Sequence, residues 1–142
     1  MFTCQDKFVW GNLEHFYQTE AWGDWMEMDV RLLFCLDRLR ARLGRRINIH
    51  CGYEQSGHSP RSFHKYGMAV DFDVEGTKLS ELFDLYRFFQ SNWYFGGIGV
   101  YPFWNNPGIH LDVGPVGRTW LRDKDNNYIY DYNEMYNVLT SL

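Results

Sequence analysis

The most constraining feature of the chain is the segment from Ser62 to Asp71, in which a histidine, a glycine and an aspartate stand at fixed spacing. His64 precedes Asp71 by seven residues, a spacing that suits a loop histidine followed by a strand aspartate. Gly67 allows the backbone to turn between them. His110 follows about forty residues later in a second strand-like segment. Two histidines and one aspartate can form a three-ligand zinc site that leaves a fourth position open.

The apolar surroundings of Asp71 strengthen this interpretation. Asp71 lies between Val70 and Phe72 in a strand-like segment, and an unpaired buried carboxylate is costly. A bound metal ion removes that cost, and a salt bridge to one of the arginines is the alternative. We therefore predict that Zn²⁺ is held by His64, Asp71 and His110.

A zinc hydrolase also needs a proton acceptor and a group that stabilises developing charge. Asp112 shares the strand face of His110, and two roles fit it equally: the general base, or a hydrogen-bond partner of the ligand histidine. His50 and His58 are further candidates for the base. Arg61 could hold a substrate carboxylate or the developing charge, or it could be a solvent-exposed loop arginine.

The bulk properties limit the class of protein. With 142 residues, the chain is long enough for one domain, and we expect a single domain over 1–142 with a core at about 24–122 and terminal segments that pack on it. The net charge of -4 argues against nucleic acid as a partner, because phosphate binding needs clustered cations. No apolar run is long enough for a membrane span. We expect a monomer. The plentiful aromatic residues suggest a cleft wall, for which the candidates are Tyr53, Tyr101, Trp104 and Trp120.

Periodicity predicts helices beside a small antiparallel sheet, which is an α+β fold. The predicted helices are a short one near Leu13–Tyr17, one from Asp24 or Trp25 to Gly44, one capped by Thr77, and one over Tyr132–Leu139. The predicted strands are Ile47–Cys51, Met68–Val74, Ile98–Tyr101 and Ile109–Val113, with Thr119–Leu121 and Tyr128–Tyr130 as weaker candidates.

These motifs resemble those of the zinc D-Ala-D-Ala carboxypeptidases and their peptidoglycan endopeptidase relatives, a family that includes phage endolysins and belongs with lysostaphin and hedgehog. The family motif S-x-H-x-x-G-x-A-x-D matches at Ser62, His64, Gly67, Ala69 and Asp71. The family's H-x-D matches at His110 and Asp112, and residues 96–102 resemble its G-G-x-G-x-Y-P stretch. The resemblance implies a hedgehog/D-Ala-D-Ala peptidase-like fold, zinc on His64, Asp71 and His110, and hydrolysis of peptide bonds in peptidoglycan stem peptides.

Two positions depart from the family pattern. Many members have a glutamate as base three residues before the last zinc histidine, where this chain has Pro107. The base is then Asp112 or another residue. Members also often have an arginine where this chain has Glu54, which favours an endopeptidase over a strict carboxypeptidase.

Two rival functions and two further questions stay open. A non-catalytic cell-wall or phage assembly module could retain the fold and the metal, and a metal amidase would share the site chemistry. The N-terminus has no basic segment followed by an apolar stretch. We therefore expect synthesis in the cytoplasm and delivery to the cell wall by other proteins, as for a phage or prophage lysin. Cys35 and Cys51 could be reduced or bridged.

Overall fold

The computed structural model describes residues 7–57, 61–93 and 96–142, except for the side chains of Lys7 and Phe8. Four α-helices and six β-strands lie in these ranges, as expected for an α+β fold. The helices are α1 (Lys7–Gly11), α2 (Val30–Leu43), α3 (Leu82–Asn92) and α4 (Tyr132–Thr140). The strands are β1 (Ile47–Cys51), β2 (Ala69–Val74), β3 (Gly97–Tyr101), β4 (Gly108–Asp112), β5 (Arg118–Arg122) and β6 (Tyr128–Ile129).

The six strands form one sheet in the order β1-β2-β4-β3-β5-β6. The pairs are antiparallel except for β3 and β5, which are parallel. β4 is paired with β2 on one side and with β3 on the other, so β5 cannot pair with β4 and pairs with β3 instead. The loop 113–117 returns the chain to the end of the sheet where β3 begins, so β5 runs along the free edge of β3 in the same direction.

The two faces of the sheet differ in chemistry because strand side chains alternate. On one face, Phe72 and Ile109 are buried, and the Phe72 ring lies 5.3 Å from that of Phe89 on α3. Asp71 and His110 point to the opposite face, which carries the candidate site. Within β2, Val70 and Phe72 therefore lie on the core face, and Ala69, Asp71 and Asp73 lie on the other.

Residues from both ends of the chain enter the same hydrophobic core. Trp10 and Trp22 pack edge to face with ring centroids 5.3 Å apart, and Met135 and Leu139 of α4 are buried. In the described ranges, no helix is both long and apolar enough to cross a membrane. Cys35 and Cys51 are free thiols, so the bridge left open by the sequence does not form between them. Cys4 lies outside the described residues.

Two helix predictions near the N-terminus are wrong, each because a carboxylate captures backbone N–H groups. The short helix is α1 rather than Leu13–Tyr17, and the N–H groups of Glu14 and His15 donate to Asp37 at 3.1 and 2.8 Å. The next helix begins at Val30 rather than at residue 24 or 25. Asp29 caps it by accepting from the N–H groups of residues 31 and 32, after a separate 3-10 turn over Trp25–Glu27. Gly44 ends it as predicted.

Thr77 does not cap α3, contrary to the sequence prediction. Its N–H donates to the Val74 carbonyl at 3.1 Å and closes a turn after β2. A 3-10 turn over Leu79–Glu81 then leads into α3 at Leu82. Thr77 therefore stabilises the turn that follows β2 and not the first turn of α3.

Candidate metal centre

The S-x-H-x-x-G segment forms a capped 3-10 turn that presents His64 to the sheet. The Ser62 side chain accepts the N–H of His64 at 3.2 Å and caps the turn over Phe63–Tyr66. Gly67 ends it with φ +67°, a left-handed conformation that favours glycine. An added Cβ at Gly67 would overlap the carbonyl of Glu27. The serine and glycine of the motif therefore fix the position of the histidine.

Asp71 and His110 face each other across the sheet. They are register partners in the β2–β4 pair, and His110 Nδ1 lies 2.9 Å from Asp71 Oδ1. His64 approaches from the turn, and its Nε2 lies 3.2 Å from Asp71 Oδ2. The rings of His64 and His110 meet edge to face with centroids 5.2 Å apart. The structure thus brings all three predicted ligands together around one carboxylate.

The far nitrogen of each imidazole is held by an acceptor. His64 Nδ1 lies 2.8 Å from the Gly52 carbonyl, and His110 Nε2 lies 2.9 Å from Asp112 Oδ2. When these nitrogens carry the protons, the nitrogens that face Asp71 have free lone pairs, which is the arrangement that metal-binding histidines use. Ligand atoms about 2.0–2.1 Å from a tetrahedral zinc lie about 3.3 Å apart, close to the two observed nitrogen–oxygen distances. The two distances, one to each oxygen of Asp71, are therefore compatible with a zinc ion.

Burial and charge act in opposite directions on these groups. Burial disfavours the charged form of His110, but the hydrogen bonds with Asp112 and Asp71 outweigh it and raise the pKa of His110 to about 9. Burial likewise opposes ionisation of Asp71, but the hydrogen bonds from His110 and His64 hold its pKa below the usual range. In the metal-free protein, His110 is therefore a cation between two carboxylates, and a metal ion would replace its proton.

Cys51 offers an alternative third donor. Donor atoms of Cys51, His64 and Asp71 all lie within 4.8 Å of one another. The Cys51 thiol also lies 2.9 Å from Glu54 Oε2, to which it can donate. Burial, followed by this hydrogen bond, raises the pKa of Cys51, which disfavours the thiolate that zinc binds. The pKa of His110 is raised as well, so both third-donor candidates must lose a proton to bind a metal ion.

Asp112 is surrounded by hydrogen-bond donors. Its Oδ1 accepts the N–H groups of Gly97 and Gly114 at 2.9 and 3.0 Å and also pairs with the Arg118 guanidinium. Its Oδ2 contacts His110 Nε2, and the residue is 1% exposed. Burial opposes ionisation, but the hydrogen bond from His110 and the charges of His110 and Arg118 lower the pKa of Asp112. These contacts are typical of an ionised carboxylate that orients a neighbouring side chain, here the imidazole of His110.

A family model described as peptidoglycan L,D-endopeptidase MepK matches residues 6–120. The chain belongs to the MepK family. Peptidoglycan L,D-endopeptidase MepK of Escherichia coli strain K12 is 31% identical over 121 residues, which cover 76% of this chain and 63% of that protein. Probable peptidoglycan L,D-endopeptidase MepK of Haemophilus influenzae is 32% identical over 108 residues, which cover 66% of this chain and 54% of that protein. The chain thus spans less than two thirds of the length of these relatives.

Membership of the MepK family confirms the resemblance to the D-Ala-D-Ala carboxypeptidases and peptidoglycan endopeptidases. That resemblance depends on motifs for which the fold supplies physical reasons. The serine caps a turn, the glycine ends it, and the strand aspartate and histidine are register partners. These four positions are the ones that position the donor atoms.

Two adjoining cavities are both lined by Asp71. A larger one of about 870 Å³ contains the three candidate ligands and Asp112. A smaller one of about 440 Å³ extends from Asp71 toward Trp104. The two cavities share Asp71, Tyr101 and Tyr128, so they form one cleft. Arg61 is exposed at the rim of the larger cavity.

Three of the four predicted aromatic residues line this cleft, namely Tyr101, Trp104 and Trp120, whereas Tyr53 lines neither cavity. The Trp120 ring lies 5.0 Å from that of His110, and its Nε1 donates to the Tyr101 hydroxyl at 3.0 Å. Gly99 makes this possible, because an added Cβ there would lie 2.5 Å from Trp120 Nε1. The glycines at 96, 97 and 99 indicate that a bulky group packs closely on β3. The sequence pattern does not predict the parallel pairing of β5 with β3, which brings Trp120 to this position.

Of the other candidate bases, His50 lies in the described part of the chain, where it lines neither cavity. His50 contacts Asp73 through Nε2, and Asp73 also accepts from the Asn48 amide at 3.0 Å. His58 lies outside the described residues. Trp104 stacks on Tyr101 with ring centroids 4.1 Å apart and lies 6.2 Å from His50.

Proposed function

We propose that this chain is a zinc-dependent peptidase that hydrolyses peptide bonds in the stem peptides or cross-links of bacterial peptidoglycan. The observation that supports the metal centre most strongly is the convergence of His64 and His110 on the two oxygens of Asp71. The family supports the substrate, since the relatives carry the name peptidoglycan L,D-endopeptidase. The cell wall is accordingly the proposed place of action.

In this proposal, His64, Asp71 and His110 hold the ion. When bound, zinc supplies Lewis-acid polarisation of a carbonyl and lowers the pKa of water. The Gly52 carbonyl and Asp112 orient the two imidazoles from behind. The ring of Trp120 shields one side of His110 from solvent.

For Asp112, we favour the positioning role over that of the general base. All four of its close donors, including the Arg118 guanidinium, stabilise its ionised form and occupy its oxygens. A general base needs an oxygen or nitrogen whose lone pair is free to accept a proton from the attacking water. His50, an imidazole that Asp73 orients, is the other described candidate for the base, and it lines neither cavity.

For the peptide bond, we favour an endopeptidase over a carboxypeptidase. The candidate metal centre is bordered by two adjoining cavities of about 870 and 440 Å³. Such a cleft has room for substrate residues on both sides of the scissile bond, whereas a carboxypeptidase needs little room beyond the terminal residue. Arg61 at the rim remains a candidate for contact with the substrate.

The proposal is tested by zymography on purified cell walls with zinc-loaded protein, with and without a chelator. We expect clearing that the chelator abolishes and zinc restores. Mass analysis of products from defined muropeptides would identify the bond. If the folded, zinc-loaded protein binds cell walls without clearing them, the non-catalytic binding module is supported and the peptidase is excluded. Cleavage of an amide bond that is not a peptide bond would support the metal amidase.

A further inference from the structure

Arg122 is a cation without an acidic partner among the described residues. It is the last residue of β5, and its guanidinium carbon lies 4.2 Å from the centre of the Tyr128 ring. Its Nε is buried and has no hydrogen-bond partner in the described part of the chain. By contrast, Arg118 pairs with Asp112 and Arg45 with Glu81. A buried guanidinium N–H without a partner is rare and needs an explanation.

The position of Arg122 suggests that explanation. Arg118, Trp120 and Arg122 alternate along β5 and share the cleft face. The first holds Asp112, and the second packs on His110. The third lines the smaller cavity, which also contains Asp71. Arg122 therefore lies along the same face as the candidate metal centre, with donors available at the cavity wall.

Two cations and two carboxylates line this cavity, and both carboxylates have partners elsewhere, since Asp71 faces His64 and His110 and Asp123 lies in a turn. Lys124 lines it as a second cation. Asp123 also lines it, but its Oδ1 accepts the N–H groups of Asp125 and Asn127 at 2.9 and 2.8 Å, which ties this carboxylate into a turn. Tyr128 holds the guanidinium plane by a cation–π contact, so little side-chain freedom is lost when a ligand binds.

We propose that Arg122 binds a carboxylate of the peptide substrate on the smaller-cavity side of the scissile bond. This inference rests on the proposed function and names an anionic group in its substrate. A planar carboxylate fits the guanidinium fork and would satisfy the buried Nε. Arg122 would supply this cation from the end of β5.

The test compares two synthetic cross-linked stem peptides that differ only in whether the carboxylates next to the scissile bond are free or amidated. For the native zinc-loaded protein, we expect the amidated peptide to lose about 10- to 100-fold in kcat/KM, mainly through KM. Arg122→Gln should lose the same factor on the free peptide and little on the amidated one. Arg122→Lys, which keeps the charge, should lie between. Arg87→Gln is the matched control, because Arg87 also stacks on an aromatic ring, 5.9 Å from that of Phe83, outside both cavities.

A second measurement does not depend on hydrolysis. The affinity of the metal-free protein for the same two peptides can be measured by tryptophan fluorescence. The native protein should bind the free-carboxylate peptide more tightly than the amidated one, and Arg122→Gln should lose this preference. Equal cleavage and equal binding of both peptides by the native protein would overturn the inference and leave the peptidase intact. Preferential binding through Arg122 without any hydrolysis would support the carboxylate site and overturn the proposed function.

Discussion

His110 Nδ1 lies 2.9 Å from Asp71 Oδ1, although the two residues are 39 positions apart in the chain. The contact exists because the two are register partners on adjacent antiparallel strands. Each of them also has a second close partner, His64 Nε2 for Asp71 and Asp112 for His110. Two of the three candidate ligands are thus built into the β2–β4 pair, and His64 joins them from the capped turn.

Removal of the metal is expected to destabilise the protein. A ligand that binds only the folded state stabilises it by about 2.7 kcal/mol at one hundred times its dissociation constant. Zinc should therefore raise the melting temperature, and a chelator should reverse the increase. Calorimetry of the metal-free and zinc-loaded protein measures this shift directly.

The same experiment distinguishes the two candidate ligand sets. We expect the zinc-induced shift to disappear in His64→Ala and His110→Ala and to persist in Cys51→Ser. His15→Ala is the control, since His15 lies far from the site in sequence and pairs weakly with Glu14 at 3.9 Å. Loss of the shift in Cys51→Ser with its retention in His110→Ala would instead assign the third ligand to Cys51.

Asp112→Asn should weaken zinc binding by about 10- to 100-fold, because the variant no longer holds His110 through a carboxylate. It should also destabilise the fold by about 1–3 kcal/mol, since the amide cannot accept from all the donors around it. A competition titration with a chromophoric chelator measures the affinity. Asp37→Asn is the matched control, because Asp37 also accepts two backbone N–H groups, but from Glu14 and His15.

The affinity measurement also separates the two roles of Asp112. If Asp112 were the general base, Asp112→Asn would keep its affinity for zinc and lose kcat. Under the positioning role, a variant saturated with zinc recovers most of its activity. His50→Gln should then lower kcat while the zinc affinity stays unchanged.

Gly99→Ala should displace Trp120 from His110, because the new Cβ would lie 2.5 Å from the indole Nε1. We expect a changed tryptophan emission, a raised KM and a loss of about 1–3 kcal/mol in unfolding free energy from overpacking. Gly11→Ala is the control, since an added Cβ there has no neighbour within 4 Å. An unchanged KM and emission in Gly99→Ala would contradict a role for the Trp120 ring in the cleft.

Gly67→Ala should destabilise the protein by at least about 2 kcal/mol, because alanine at φ +67° is strained and its Cβ would overlap the Glu27 carbonyl. Urea denaturation measures the loss. Gly44→Ala has a similar backbone angle, φ +69°, without a neighbour within 4 Å, and isolates the conformational part of the effect. Equal losses in the two variants would remove the steric contribution at Gly67.

The motif residues could be predicted from sequence because their roles are local. Ser62 and Gly67 act within one turn, and the alternation around Asp71 and His110 assigns their strand face. Arg122 and the contact of Trp120 with His110 could not be predicted in this way. Both depend on the parallel pairing of β5 with β3, which is decided by which sheet edge is free and not by local pattern.

The helix starts show the same limit on a smaller scale. The predicted start of the second helix is residue 24 or 25, but the side chain of Asp29 caps the helix at Val30. The preceding residues then form a separate turn, whose following residue Met28 is fully buried. Periodicity detects the buried face of a helix, whereas the cap sets its first residue.

The pairing of Asp71 with His110 has a consequence for how the sheet assembles. Slipping β4 by one residue along β2 would turn His110 toward the hydrophobic core and bring Ile109 or Leu111 to the cleft. A metal ion bound by both strands would stabilise only the native register, because only that register offers it both donors. The ion would then favour correct pairing of β2 and β4 during folding, in addition to any role in hydrolysis.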